Sequence, residues 1–135
     1  MSEDIKISIF EVVGSPLCVA SGDGQKVYDR LSTAFEKDRH VALSFRNVTT
    51  LTSAFLNAAI GQLYGTFSEE QIRNLLKVED AEQDDLALLK RVVDNAKLYF
   101  KDKEAYNKAV EEAQGNGADD SQSNSGEATQ LYFKG

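Results

Sequence analysis

"VALSFRNVTTLTSAFLNAAIGQLYG", Val41 to Gly65, decides the fold of this chain. With His40 in front, its opening "HVALSF" is compact and rich in strand formers, and "RNVTT" follows it. That reads as a buried strand whose C-terminal end turns over at Asn47 to Thr50. In the next stretch, Leu51 to Gly65, Phe55, Ala58, Ala59, Gln62 and Leu63 fall at helical spacing, with Gly61 and Gly65 near the end. A helix is therefore entered directly from a strand end, through a turn made largely of hydroxyl residues.

Working outward toward the N-terminus, Ile5, Ile7 and Ile9 alternate with Lys6 and Ser8, so the period of two predicts a half-buried strand running on to Val13 until Gly14-Ser15-Pro16 breaks it. The short run Leu17 to Ala20 is either a further strand or an approach to the next helix. "SGDG", Ser21 to Gly24, reads as a turn with capping chemistry. Val27, Leu31, Ala34 and Phe35 then mark one apolar face of a helix, with Lys26, Asp29, Arg30 and Glu36 facing outward.

In the other direction, "FSEEQIRNLL" places Gln71 three residues after Ser68, the spacing of a capping box, and predicts a helix start. Leu76 to Val78 reads equally as a short strand or as loop. Leu86, Leu89, Val92, Val93, Ala96, Tyr99 and Phe100 recur at three and four, predicting a long amphipathic helix that can run to Glu112. From Gln114 the composition turns to Gly, Asn, Ser and Asp, with little to bury. The expectation is one domain, 1–112, and a flexible acidic and polar tail, 113–135. The final "TQLYFKG" resembles a protease site used in engineered tags, with Lys134 where that site has Gln, and is read either as such a scar or as a natural ending.

The totals agree with one globular α/β domain: 135 residues, 41% hydrophobic, 27% charged. A formal charge of −7 disfavours direct nucleic-acid binding, which draws on clustered basic residues. Cys18 is the one cysteine and sits in an apolar run, so it reads as a buried structural thiol. No secretory pattern and no apolar run near twenty residues is visible, giving a cytoplasmic expectation with no membrane partner.

Chemistry-bearing patterns are sparse. "GDG" at Gly22 to Gly24 lacks a full phosphate-binding signature, and Asp23 would repel an anion. His40 has no second histidine or cysteine pair at metal spacing, so no metal or cofactor is expected. Neither a Gly-x-Ser-x-Gly elbow nor a His-Glu-x-x-His pair occurs, and the chain reads as a binding protein rather than an enzyme.

Three segments, "DGQKVYDRLSTAF", "VALSFRNVTTLTSAFLNAAIGQLYG" and "VVDNAKLYF", together resemble the STAS-like domain family of unknown function, a bacterial and phage-associated group related to sulfate transporter and anti-sigma factor antagonist domains. The resemblance implies a small mixed sheet packed with helices, and regulation through protein contacts. In the related antagonists an Asp-Ser-Ser/Thr-Gly motif at this strand-to-helix turn is phosphorylated by a histidine-kinase-like ATPase. Laid on this chain, Thr52 stands where the Asp would be, Ser53 where the phosphorylated Ser would be, and Ala54 and Phe55 where the second hydroxyl and the Gly would be; only Ser53 matches.

Two readings of the turn stay open. Ser53 is a phosphoacceptor, with the helix N-terminus stabilising the added charge, or Thr52 or Ser53 is simply the helix N-cap. The expected partner surface is Thr49, Thr50, Thr52, Ser53, Phe55, Asn57 and Tyr64, with Phe55, Asn57 and Tyr64 exposed, and the expected partner is a histidine-kinase-like ATPase or similar protein. The alternative is a structural or assembly subunit, a homodimer or part of a defence or phage-related complex, that uses the fold without a switch.

Overall fold

The computed structural model describes the backbone of residues 4–112 and the side chains of residues 4–102; the predicted tail, 113–135, lies outside the described residues. Strands β1 (Ile5–Ser8), β3 (Val41–Ser44) and β5 (Leu76–Glu79) form a sheet in the order β1-β3-β5. In register, Ile5 aligns with Val41 and Leu76, and Ile7 with Leu43 and Val78. All six belong to the core or pack against it. On the opposite face Lys6 and Lys77 reach Glu79 at 3.4 and 3.6 Å, through side chains that remain largely in solvent.

The α/β class stands, but the strand orientation differs from the mixed sheet expected. Every pairing is parallel, including that of a second, two-stranded sheet made by β2 (Leu17–Cys18) and β4 (Thr50–Leu51). The cause is connectivity. At least one helix separates each strand from its partner along the chain, and such crossovers deliver parallel neighbours, whereas antiparallel ones need only a hairpin. Leu76 to Val78, ambiguous by periodicity, becomes a strand because β3 offers it a parallel edge.

The strand expected from Ile5 to Val13 stops at Ser8. There the Ser8 hydroxyl accepts the Glu11 backbone N–H at 3.2 Å and caps α1 (Ile9–Val13). Gly14, at φ +82°, closes that helix in the left-handed conformation that glycine adopts without strain. "SGDG" is likewise helical: α2 (Ser21–Glu36) starts at Ser21, with Ala20 as N-cap and no side-chain cap. Asp23 in the first turn opposes the positive end of the helix dipole. As the periodicity predicts, Val27, Leu31, Ala34 and Phe35 are buried.

The expected helix from Leu51 to Gly65 is two pieces, α3 (Ser53–Ala59) and a 3-10 turn (Gly61–Gly65), joined at Ile60. Ser68 caps α4 (Glu69–Leu75) through the Gln71 N–H at 3.0 Å, as its spacing predicts. The long helix is α5 (Gln83–Glu112). α2 and α3 approach closely where small residues meet: a Cβ on Gly24 would overlap the Phe55 carbonyl oxygen and lie 2.9 Å from the Ala58 Cβ. Beneath this crossing Phe35, Phe55, Leu31 and Leu56 are fully enclosed. Among the described residues no helix is long and apolar enough to cross a membrane.

Candidate functional site

The β2–β4 pair builds the turn that the sequence singles out. The Pro16 carbonyl accepts the Thr49 N–H at 2.9 Å and the Thr50 N–H at 3.3 Å, and the Cys18 carbonyl accepts the Thr52 N–H at 3.2 Å. Thr52 is the N-cap of α3. Its hydroxyl accepts the Phe55 N–H at 3.2 Å and donates to the Val19 carbonyl at 2.7 Å. One hydroxyl thus caps the helix and ties it to the strand that precedes α2. Ser53 is the first residue of α3 and is partly exposed.

The pairing brings an apolar ridge beside that turn. Leu17 and Val19 are 54% and 44% exposed, whereas Cys18 between them is fully buried. The two-residue period of a strand points alternate side chains to opposite faces, which puts Leu17 and Val19 outward when Cys18 points in. Burial pushes the Cys18 thiol up from its ordinary pKa, with the Asp23 charge adding to the effect. Burial thus favours the thiol over the thiolate form that would make it reactive.

The predicted surface divides. Thr49, Thr50, Thr52 and Ser53 come together at the turn, and Thr49 and Thr50 are exposed. Phe55 and Asn57 do not join them, because both point into the core; Asn57 is only 5% exposed. No buried side-chain polar atom among the described residues lacks a hydrogen-bond partner, so Asn57 is a satisfied interior amide. A helix sandwiched between α2 and α5 buries most of its circumference, which is why polar Asn57 is interior. Gln62 joins α2 instead, donating to Gln25 at 3.0 Å and to the Ala58 carbonyl at 3.1 Å.

Tyr64 belongs to another surface, where the 3-10 turn and α4 meet α5. The Lys97 ammonium lies 5.9 Å from the Tyr64 ring centroid and 2.9 Å from the Glu69 carboxylate. The hydrogen bond and charge of Lys97 hold Glu69 below its ordinary range. Burial, then the charges of Glu69 and Asp94, push the Tyr64 phenol up. An open cleft of about 660 Å³ and a smaller hollow of about 230 Å³ meet at these three side chains. Sequence reading missed this seam because Glu69 and Lys97 are far apart in the chain and each looks like a solvated helix charge. Leu17 and Val19 were visible only as an apolar run; their alternation about Cys18 was the available signal.

Comparison with known proteins bears on the same segments. The model of a STAS-like domain of unknown function matches residues 23–86, from the first turn of α2 to the first turn of α5. No curated protein and no solved structure matches the chain. The matched span contains α3 and the Thr49 to Ser53 turn.

Proposed function

We propose that this chain is a regulatory protein-interaction module, akin to the anti-sigma factor antagonists, that binds a protein partner through the Leu17–Val19 ridge and the Thr49 to Ser53 turn. The observation that carries this reading is the exposure of Leu17 on β2 and of Val19 just beyond it, on a segment hydrogen-bonded to that turn. Exposed apolar side chains in a polar rim are the usual core of an interface. The partner in this reading is a histidine-kinase-like ATPase, and the module itself binds without catalysing. Ser53, at the start of α3, is its phosphoacceptor; added phosphate would place about −1.5 to −2 charges beside the ridge and weaken an apolar contact.

The test combines the chain with an ATPase encoded beside it and ATP. The expected result is a complex lost in the Leu17→Asp/Val19→Asp double variant, whose unfolding midpoint is unchanged, and phosphate addition by intact mass that Ser53→Ala abolishes. Absence of both complex and phosphate with the unaltered chain refutes the reading. The non-switching alternative, a homo-oligomer, would use the same ridge. It predicts association by sedimentation without any partner, lost in the double variant and indifferent to Ser53→Ala.

A further inference from the structure

Protein interiors pack at nearly crystalline density and leave few voids larger than a water. At the surface edge of the core, the seam between α4, β5 and α5 leaves a hollow of about 230 Å³ that opens to solvent. Its walls are mostly aliphatic, formed by Ile60, Ile72, Leu76, Val78, Leu89 and Val93, with the Tyr64 ring beside Lys97. Its rim is charged: Arg73 and Lys97 as cations and Glu69 as the anion. Glu69 is answered by Lys97 at 2.9 Å, while Arg73 has no carboxylate within ion-pair distance among the described residues. Arg73, whose charge acts on Glu69 from beyond ion-pair distance, and Lys97 together outnumber the one carboxylate at the rim, a local reversal of sign on a chain of net charge −7.

That combination suits a ligand with a hydrocarbon body and one anionic end. Aliphatic walls offer dispersion and the hydrophobic effect but nothing for a polar body. The guanidinium fork matches a carboxylate in geometry as well as in charge. A hollow of about 230 Å³ takes a hydrocarbon tail of several carbons and leaves the polar end at its open mouth. We propose that the α4–β5–α5 seam is a binding site for a medium-chain aliphatic carboxylate, its hydrocarbon among Ile72, Leu89 and Val93 and its carboxylate on Arg73. The site is separate from the β2–β4 ridge, so this inference stands or falls independently of the partner reading.

The test is a methyl NMR titration of the full chain with octanoate and, separately, 1-octanol. The expected result is saturable movement of the Ile60, Ile72, Leu89 and Val93 methyls by octanoate below about 1 mM, with affinity about tenfold above that for octanol, as befits a hydrogen bond to a charged group. Arg73→Gln, at an exposed position, should bring the two ligands near parity while leaving octanol binding in place. Val93→Phe, which fills the hollow, should abolish both in a protein whose spectrum stays folded. No saturable movement, equal affinities in the unaltered chain, or an undiminished octanoate preference in Arg73→Gln overturns the proposal. So does movement of these methyls by an acidic peptide but not by octanoate.

Discussion

Replacing Gly24 by Ala tests whether the α2–α3 crossing sets the position of the turn. An alanine Cβ there would meet the Ala58 Cβ at 2.9 Å and the Ala59 nitrogen at 3.2 Å, and would press closer still on the Phe55 carbonyl oxygen. Ordinary carbon contacts lie at about 3.5–4.0 Å, so the helices must part by about 1 Å. Overpacking of this kind costs about 1–3 kcal/mol. Against it stands the better helix propensity of Ala, about 1 kcal/mol. The neighbours that must yield are backbone atoms and a Cβ, none of which can swing aside, so the steric cost falls in the upper part of that range, about 2–3 kcal/mol, and the net loss is about 1–2 kcal/mol. With a urea slope of about 1.5 kcal/mol/M, the unfolding midpoint falls by about 1 M. Gly22→Ala is the control two residues earlier in the same helix. Nothing lies within 4 Å of a Cβ there, so only the propensity gain remains and the midpoint should rise slightly. A Gly24→Ala protein as stable as the unaltered one, or a Gly22→Ala protein destabilised like it, would refute the packing argument.

Thr52→Ala removes both the α3 cap and the bond to the Val19 carbonyl. It should cost about 1–2 kcal/mol in urea unfolding, and Thr52→Ser, which keeps the hydroxyl, should recover most of that. Lys97→Met should return the Glu69 carboxyl toward its ordinary range, read by side-chain NMR across acid pH. Because Glu69 titrates low in the folded state, the stability it contributes is present above the unfolded carboxyl's range and is lost as pH falls through the depressed value. The difference in midpoint between the unaltered chain and Lys97→Met should therefore be larger at neutral pH than in acid, though small throughout for so exposed a pair.

Most of the fold is legible wherever local pattern and tertiary environment agree. The apolar face of α2, that of α5 from Leu89 onward, the buried run of β3 and the Ser68 cap all follow from their spacing, whereas Leu86, expected on the α5 face, is left 44% exposed in the first turn of that helix. Legibility fails where two local signals compete. Ile5, Ile7 and Ile9 alternate like one strand, yet Ser8 offers a cap and Gly14 a left-handed terminus, and these win over the last part of the pattern. Leu76 to Val78 has no decisive local signal at all; its conformation is set by the free edge of β3, a strand distant in sequence. Strand orientation is of the same kind, since it follows from which helix lies between which strands rather than from the composition of any one of them.

At the candidate site the division is sharper, and Thr52 shows why. Read along the chain, Thr52 and Ser53 are interchangeable as cap or acceptor; the folded structure gives Thr52 the cap because its hydroxyl spans both the Phe55 N–H and the Val19 carbonyl. Those two partners lie on either side of the boundary of the family match, Phe55 inside residues 23–86 and Val19 before them. The hydroxyl thus fastens the matched scaffold to the strand that bears the exposed ridge. Fixing the first turn of α3 in this way also fixes which of its faces meets α2 and which meets α5. At about 3.6 residues per turn, Phe55 and Asn57 point to nearly opposite sides of the helix. Both are enclosed because both sides are covered, so a pattern that looks half-exposed along the chain becomes interior only when the second helix is in place.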